Sequence, residues 1–369
     1  MSKFMKSLCK IAIPVTLQSM LQASFSIVDQ IMIGQLGETN ISAVGLCGNF
    51  SLIFSVVIGA VSTVAGILIA QFIGAEDTKE AWCSFDVSLI SGIVIAALFL
   101  FAAGGFPSQI LGLYTKDVSI VNTGAVYFRI VAFSYIPMAA GNILSSWLRC
   151  REHAVIPFWA SFGAVAVNTG LNYLLIFGKF GFPCMGIKGA AIATLISQLF
   201  NLVIIAAGFV LCIRKDGDKP VWSLRFRKIT IKDYLIMIMP ILISEFLWSL
   251  GQNVESAVYG HLGTSNLAAY TLTCPIQGLI VGALSGLSAA AGVMVGKRLG
   301  RKEYDEAYTE SKKIMYAGLA GAVAVSTLLI LLAGVYTGLY RVDGSVKELG
   351  KILLVVFALY APIKVENMI

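Results

Sequence analysis

The chain has 369 residues, of which 57% are hydrophobic and 13% charged. Soluble domains carry about 25% charged residues, so a soluble globular protein is excluded. The net charge of +7 does not point to nucleic acid, because the basic residues are spaced between apolar segments rather than gathered on one face.

Charge-free runs such as 39–75, 87–115 and 256–296 exceed the roughly 20 apolar residues that cross a bilayer as helix. Ten segments follow in chain order, at about 8–34, 41–74, 85–105, 119–148, 155–178, 187–213, 234–260, 267–297, 312–337 and 347–369. The fold class is therefore an all-α polytopic membrane protein. Lys and Arg alternate in density between the two sides of these segments. Nineteen fall on the side of the N-terminus, against six on the other. Positive charge stays inside, which places the N-terminus in the cytoplasm of a cell whose inner or plasma membrane holds the chain. Residues 214–232 form the longest inside loop, with Trp222 as an interfacial residue.

The seven cysteines are scattered, with no CxxC pair. The run CREH at 150–153 offers Cys150 and His153, at best half a metal site. Small packing residues are the reading adopted for the cysteines, and no cofactor is implied.

At a shift of 226 residues the second half repeats the first. Pro14 falls on Pro240, Gly34 on Gly260, Leu36-Gly37 on Leu262-Gly263, Gly74 on Gly300, and Glu80-Ala81 on Glu306-Ala307. Six helices per unit is an even number, so both copies enter from the same side as parallel repeats. The expected organisation is an N-lobe over 1–213, an inter-lobe loop over 214–232 and a C-lobe over 233–369. The second copy stops near the middle of its fourth helix. Completing the repeat gives about 440 residues and twelve helices, so the sequence is expected to be C-terminally incomplete or else a ten-helix variant.

These residues resemble the MATE multidrug and toxin extrusion transporters, bacterial type, within a superfamily that also holds flippases of lipid-linked glycans. The resemblance rests on P-x14-D-x4-G-x-LG in segment one, VNTGLNYLLIFG at 167–178, GIKGAAIAT at 186–194 and the paired Leu-Gly turns. It implies two six-helix lobes around a central cavity. It further implies antiport of Na⁺ or H⁺ against an exported organic, often cationic, molecule by alternating access.

Asp29 stands inside an apolar segment, where a carboxylate costs about 2.5–3.5 kcal/mol at a helix centre, which makes it a functional candidate. The resemblance assigns it to a cation site with Asn168, Asn172 and Thr194, and with the Ala190 carbonyl as a further candidate ligand. Residues i and i+4 share a helix face, so Asn168 and Asn172 present two amide oxygens side by side, and an all-oxygen shell suits a hard cation. Asn172 replaces the Asp found in many relatives. That puts a two-carboxylate proton relay in doubt, although Asp29 alone can still carry a proton, and both ions stay open. In the second half the proton or substrate candidates are Glu245, Glu255, Lys364 and Glu366. Glu255 is the repeat partner of Asp29, and either Glu245 or Glu255 pairing with Lys364 would be structural.

The expected function is export of organic cations by a monomer in the lipid bilayer. A flippase for a lipid-linked glycan is the alternative, and a membrane-embedded enzyme the remote one, since His153 and His261 fall on opposite sides.

Overall fold

The computed structural model describes residues 3–217, 231–261, 264–338 and 344–368. Among the described residues it is built of helices: α1 (Lys3–Gly34), α2 (Glu38–Gly74), α3 (Thr78–Gly105), α4 (Pro107–Gly112), α5 (Val118–Val131), α6 (Tyr135–Cys150), α7 (Val155–Phe177), α8 (Ile187–Asp216), α9 (Ile231–His261), α10 (Thr264–Gly300), α11 (Tyr304–Gly338) and α12 (Gly344–Met368). Eight spans among the described residues are long and apolar enough to cross a membrane, so the chain is a multi-pass membrane protein. Polar residues of α1, among them Gln18, Gln22 and Asp29, line an internal chamber.

Two departures from the ten expected segments have local causes. The fourth segment is a composite of α5 and α6 joined by a 3₁₀ turn, Ala132–Ser134. Proline clashes with the carbonyl four residues before it, and Pro137 sits just past the turn, where tighter winding takes up the strain. The extra helix α4 begins on Pro107, a residue whose fixed φ and missing N–H suit a helix start. Asp117 caps α5 by accepting from the backbone N–H of Ser119 at 2.8 Å.

The repeat is written into the backbone. Glu76 and Lys302, 226 residues apart, both adopt left-handed φ, at 59° and 62°. The bond from Asp77 N–H to the Phe72 carbonyl recurs as Glu303 N–H to the Arg298 carbonyl. A methyl on Gly74 would overlap the Lys297 carbonyl, and one on Gly300 would overlap that of Gln71. Each of these contacts is the other moved by one repeat. α2 and α10 therefore cross about a local two-fold, with Gly296 against its own repeat partner Ala70.

That symmetry is broken beside the axis. α1 seals onto α10, with the Thr16 hydroxyl donating to the Ala283 carbonyl at 2.9 Å and Ser285 to Ser19 at 2.8 Å. Its mate, α9 on α2, leaves a cavity of about 500 Å³ between Leu52, Ile53 and Val56 on one side and Leu242, Ile243 and Phe246 on the other. The sequence explains the difference. α10 offers Gly282, Ala283 and Gly286 where the repeat positions of α2 are Val56, Val57 and Ala60. Small residues let helix backbones approach closely in a membrane, and branched ones hold them apart.

The α2–α10 crossing lies at the ends of both helices, on the face that carries the N-terminus. There Glu152, in the turn between α6 and α7, bonds Lys297 of α10 at 3.1 Å and Lys10 of α1 at 3.4 Å. Partial burial pushes the Glu152 carboxyl up, but the two lysines outweigh it and hold it below the usual carboxylate range.

Candidate functional site

Three helices of the first half bring the site together. α7 ends on Gly178, whose left-handed φ of 65° suits glycine. The chain returns through a bond from Met185 N–H to the Leu175 carbonyl at 2.8 Å. Gly189 then lies so close to Leu175 that a Cβ would stand 2.7 Å from the latter's carbonyl carbon and oxygen. This tight hairpin faces Asn168 and Asn172 of α7 toward Thr194 and Ser197 of α8, and α1 closes the third side with Asp29.

Asn172 is the centre of the cluster and is fully buried. Its amide donates to an Asp29 carboxylate oxygen and, at 3.1 Å, to the Asn168 side-chain oxygen. The Asn168 amide in turn donates to Ser197 at 3.4 Å. With both donors used in this way, the Asn172 Oδ1 is buried and has no hydrogen-bond partner among the described residues. Orphaned buried acceptors are rare and call for an explanation; a cation supplies one.

The structure thus brings together four of the sequence candidates, Asp29, Asn168, Asn172 and Thr194. Ala190 lies on the same stretch of α8, but its carbonyl accepts the Thr194 hydroxyl at 3.0 Å, so it reaches the cluster through Thr194. Sequence reasoning missed Tyr127 and Ser197. Tyr127, buried on α5, shares a side-chain hydrogen bond with Thr194 and lies within electrostatic reach of Asp29. An uncharged tyrosine in an apolar helix gives no signal in one sequence.

Asp29, Asn168, Thr194 and Ser197 open onto a chamber of about 470 Å³ whose wall also holds Gln18, Gln22 and Asn201. Among the described residues, Asp29 is the one charged residue lining it. A second polar cavity, of about 450 Å³, lies between the halves toward the N-terminal face and shares Gln18, Gln22 and Asn142 with the first. Among the described residues its one charged lining residue is Arg149, whose buried Nε lacks a hydrogen-bond partner among them.

Among the described residues, the acids of the second half do not gather into a matching cluster. Glu245 and Glu255 are both exposed on α9. α9 packs chiefly on α2 and α10, which leaves its remaining sides open. Lys364 lies 5.8 Å from the ring centroids of Trp248, Phe357 and Tyr360, a cation–π setting. Among the described residues no ion pair joins it to Glu245 or Glu255. The side chain of Glu366 lies outside the described residues.

The family model MatE matches twice, over residues 14–174 and 240–369. The two matches begin on Pro14 and Pro240, one repeat apart. The chain belongs to the MatE family. It is a membrane transporter and not an enzyme. Among curated relatives it is 24% identical over 366 residues to "Probable multidrug resistance protein NorM" of Thermotoga maritima, covering 96% of this chain and 76% of that protein. It is 22% identical to "Uncharacterized transporter YisQ" of Bacillus subtilis, covering 98% of this chain and 80% of the relative. A solved structure described as the outward-facing conformation of a multidrug resistance MATE family transporter shares the fold, with a TM-score of 0.86 at 19% identity over 99% of this chain and 82% of that one.

Proposed function

We propose that this MatE transporter exports organic, mainly cationic, molecules in exchange for a monovalent cation bound at Asp29. The observation that carries this reading is the buried Asn172, whose oxygen has no hydrogen-bond partner among the described residues and stands beside the carboxylate that its amide orients. One carboxylate among neutral amide and hydroxyl oxygens balances a single positive charge, which is the ligand chemistry of a hard cation. Na⁺ satisfies the oxygens directly, and H⁺ would sit on Asp29 itself.

The halves act as an N-lobe (1–213) and a C-lobe (233–369) joined by the 214–232 loop, in a monomer whose N-terminus lies in the cytoplasm of the cell membrane. The seal of α1 and α2 on α10 closes the N-terminal face, so the state described opens toward the other side. Alternating access then follows if the cation and the cargo favour different states, because a ligand shifts an equilibrium only by its differential affinity. Efflux of a cationic dye from vesicles holding the protein, under separate Na⁺ and H⁺ gradients, tests the assignment. Asp29→Asn should abolish acceleration by whichever gradient drives the wild type. Unchanged efflux in the variant removes Asp29 from coupling.

Arg149 supports a second reading, in which the cargo carries an anionic group, as the lipid-linked substrates of a flippase do. Its guanidinium lines the inter-half cavity, where carboxylate or phosphate would be its natural partner. Arg149→Gln should then impair transport of a zwitterionic dye several-fold while sparing a purely cationic one.

A further inference from the structure

On the N-terminal face, away from the Asp29 chamber, three metal-binding side chains meet. His153 comes from the turn between α6 and α7, and Cys212 and Asp216 from the last turns of α8. One ligand atom from each lies within 4.8 Å of the others. The Cys212 Sγ is 3.4 Å from Asp216 Oδ2, and the His153 Nε2 is 3.7 Å from the same oxygen. We propose that His153, Cys212 and Asp216 form a binding site for a divalent transition metal of the Zn²⁺ class.

The distances fit. Bonds of about 2.3 Å to sulfur and about 2.0–2.2 Å to nitrogen and oxygen in a tetrahedral shell place ligand atoms roughly 3.3–3.6 Å apart. The two separations to the Asp216 oxygen lie within a few tenths of an ångström of those values, and the sulfur and the imidazole are within 4.8 Å of each other. Cys212 and Asp216 are four residues apart and share a helix face, so their proximity is automatic. The placement of His153 is not. It is fixed by the turn it ends, in which Glu152 takes a left-handed φ of 63° and the N–H of His153 bonds the Leu148 carbonyl at 2.8 Å. That six-to-one bond belongs to a Schellman closure, which aims the imidazole at the end of a helix 60 residues along the chain.

The donor set selects the metal. A thiolate and an imidazole suit Zn²⁺ and its neighbours, whereas Mg²⁺ and Ca²⁺ require oxygen. A thiolate, a carboxylate and a divalent ion sum to zero charge, which suits a site whose sulfur is buried while the His153 and Asp216 side chains are about a quarter exposed. Three protein ligands leave a fourth position for water. The site ties the end of α8 to the turn whose Glu152 grips Lys10 and Lys297, so occupancy would brace the closed N-terminal face.

The test is spectroscopic and independent of transport. The full chain in detergent, stripped with a chelator, is titrated with Co²⁺. One Co²⁺ per chain should bind with a thiolate-to-cobalt charge-transfer band, Zn²⁺ should displace it, and Mg²⁺ should not. Cys212→Ser should abolish the band, and Cys9→Ser should leave it unchanged. Loss of a supporting group beyond the ligands already costs about 10–100-fold in metal affinity, so Asp216→Asn, at an exposed position, should weaken binding at least tenfold. Absence of the band in wild type, its persistence in Cys212→Ser, or equal affinity in a folded Asp216→Asn overturns the proposal.

Discussion

Gly286 of α10 lies on the Ala12 carbonyl of α1 with no room for a methyl group between them. The seal on the N-terminal face depends on that approach. Six residues along the same helix, Gly292 has open space where its Cβ would stand. Gly286→Ala should therefore destabilise the protein by about 1–3 kcal/mol through overpacking. Gly292→Ala should be neutral or slightly stabilising, since alanine is the better helix former by up to about 1 kcal/mol. Thermal melts of the two variants in one detergent check this, and equal shifts would contradict the seal.

The Glu152 link gives a pH dependence of definite sign. Its carboxyl is held below the usual range by Lys297 and Lys10 once burial has been overcome. Such a group stabilises the fold fully above its unfolded pKa of about 4.3. The contribution is lost as pH falls through the lower, folded value. Pairs this exposed are worth about 0.2–1 kcal/mol each. Glu152→Gln should lower the melting temperature at pH 7, and the gap from wild type should shrink below about pH 4. A gap that instead widens with acid would refute the assignment.

The reach of the sequence ended where the third dimension decides partners. Hydropathy gave the helices and the 226-residue shift gave their pairing, which the left-handed turns at Glu76 and Lys302 repeat in the backbone. Asp29 was conspicuous as a charge in an apolar run. Tyr127 and Ser197 were not, since neither residue type is unusual in a membrane helix. The exposure of Glu245 was illegible for a different reason: mid-segment position says how deep a residue lies but not which way α9 turns it. In the sequence His153 and Cys150 offer only half a metal site, because Cys212 and Asp216, which stand near His153 in the fold, lie on another helix.

Tyr127 tests whether the cation cluster extends beyond the sequence candidates. Its hydroxyl bonds Thr194 close to Asp29. Tyr127→Phe keeps the ring that packs in the core and removes only that bond, worth about 0.5–1.5 kcal/mol. The half-saturating concentration of the coupling cation should rise by about 2–10-fold, with the melting temperature little changed. The readout is dye efflux against cation concentration, and an unaltered half-saturation would place Tyr127 outside the site.

Asn172 offers the sharpest distinction between the two coupling ions. Its amide now donates to Asp29 and to Asn168, roles a carboxylate cannot fill unless protonated. Asn172→Asp would set two carboxyl groups in hydrogen-bonding contact, and two such groups share a proton rather than both ionising freely. If the wild type binds Na⁺, the variant should make Na⁺ compete with that proton. Its half-saturating Na⁺ concentration should then climb as pH falls from 8 to 6, by up to tenfold per unit for a single displaced proton, and more steeply than that of the wild type. If H⁺ is the native ion, Na⁺ should have little effect on either protein, and the variant's efflux should instead shift its pH optimum upward. Measuring efflux over a grid of Na⁺ and pH separates these outcomes, and a variant indistinguishable from wild type across the grid would remove Asn172 from the ion's path.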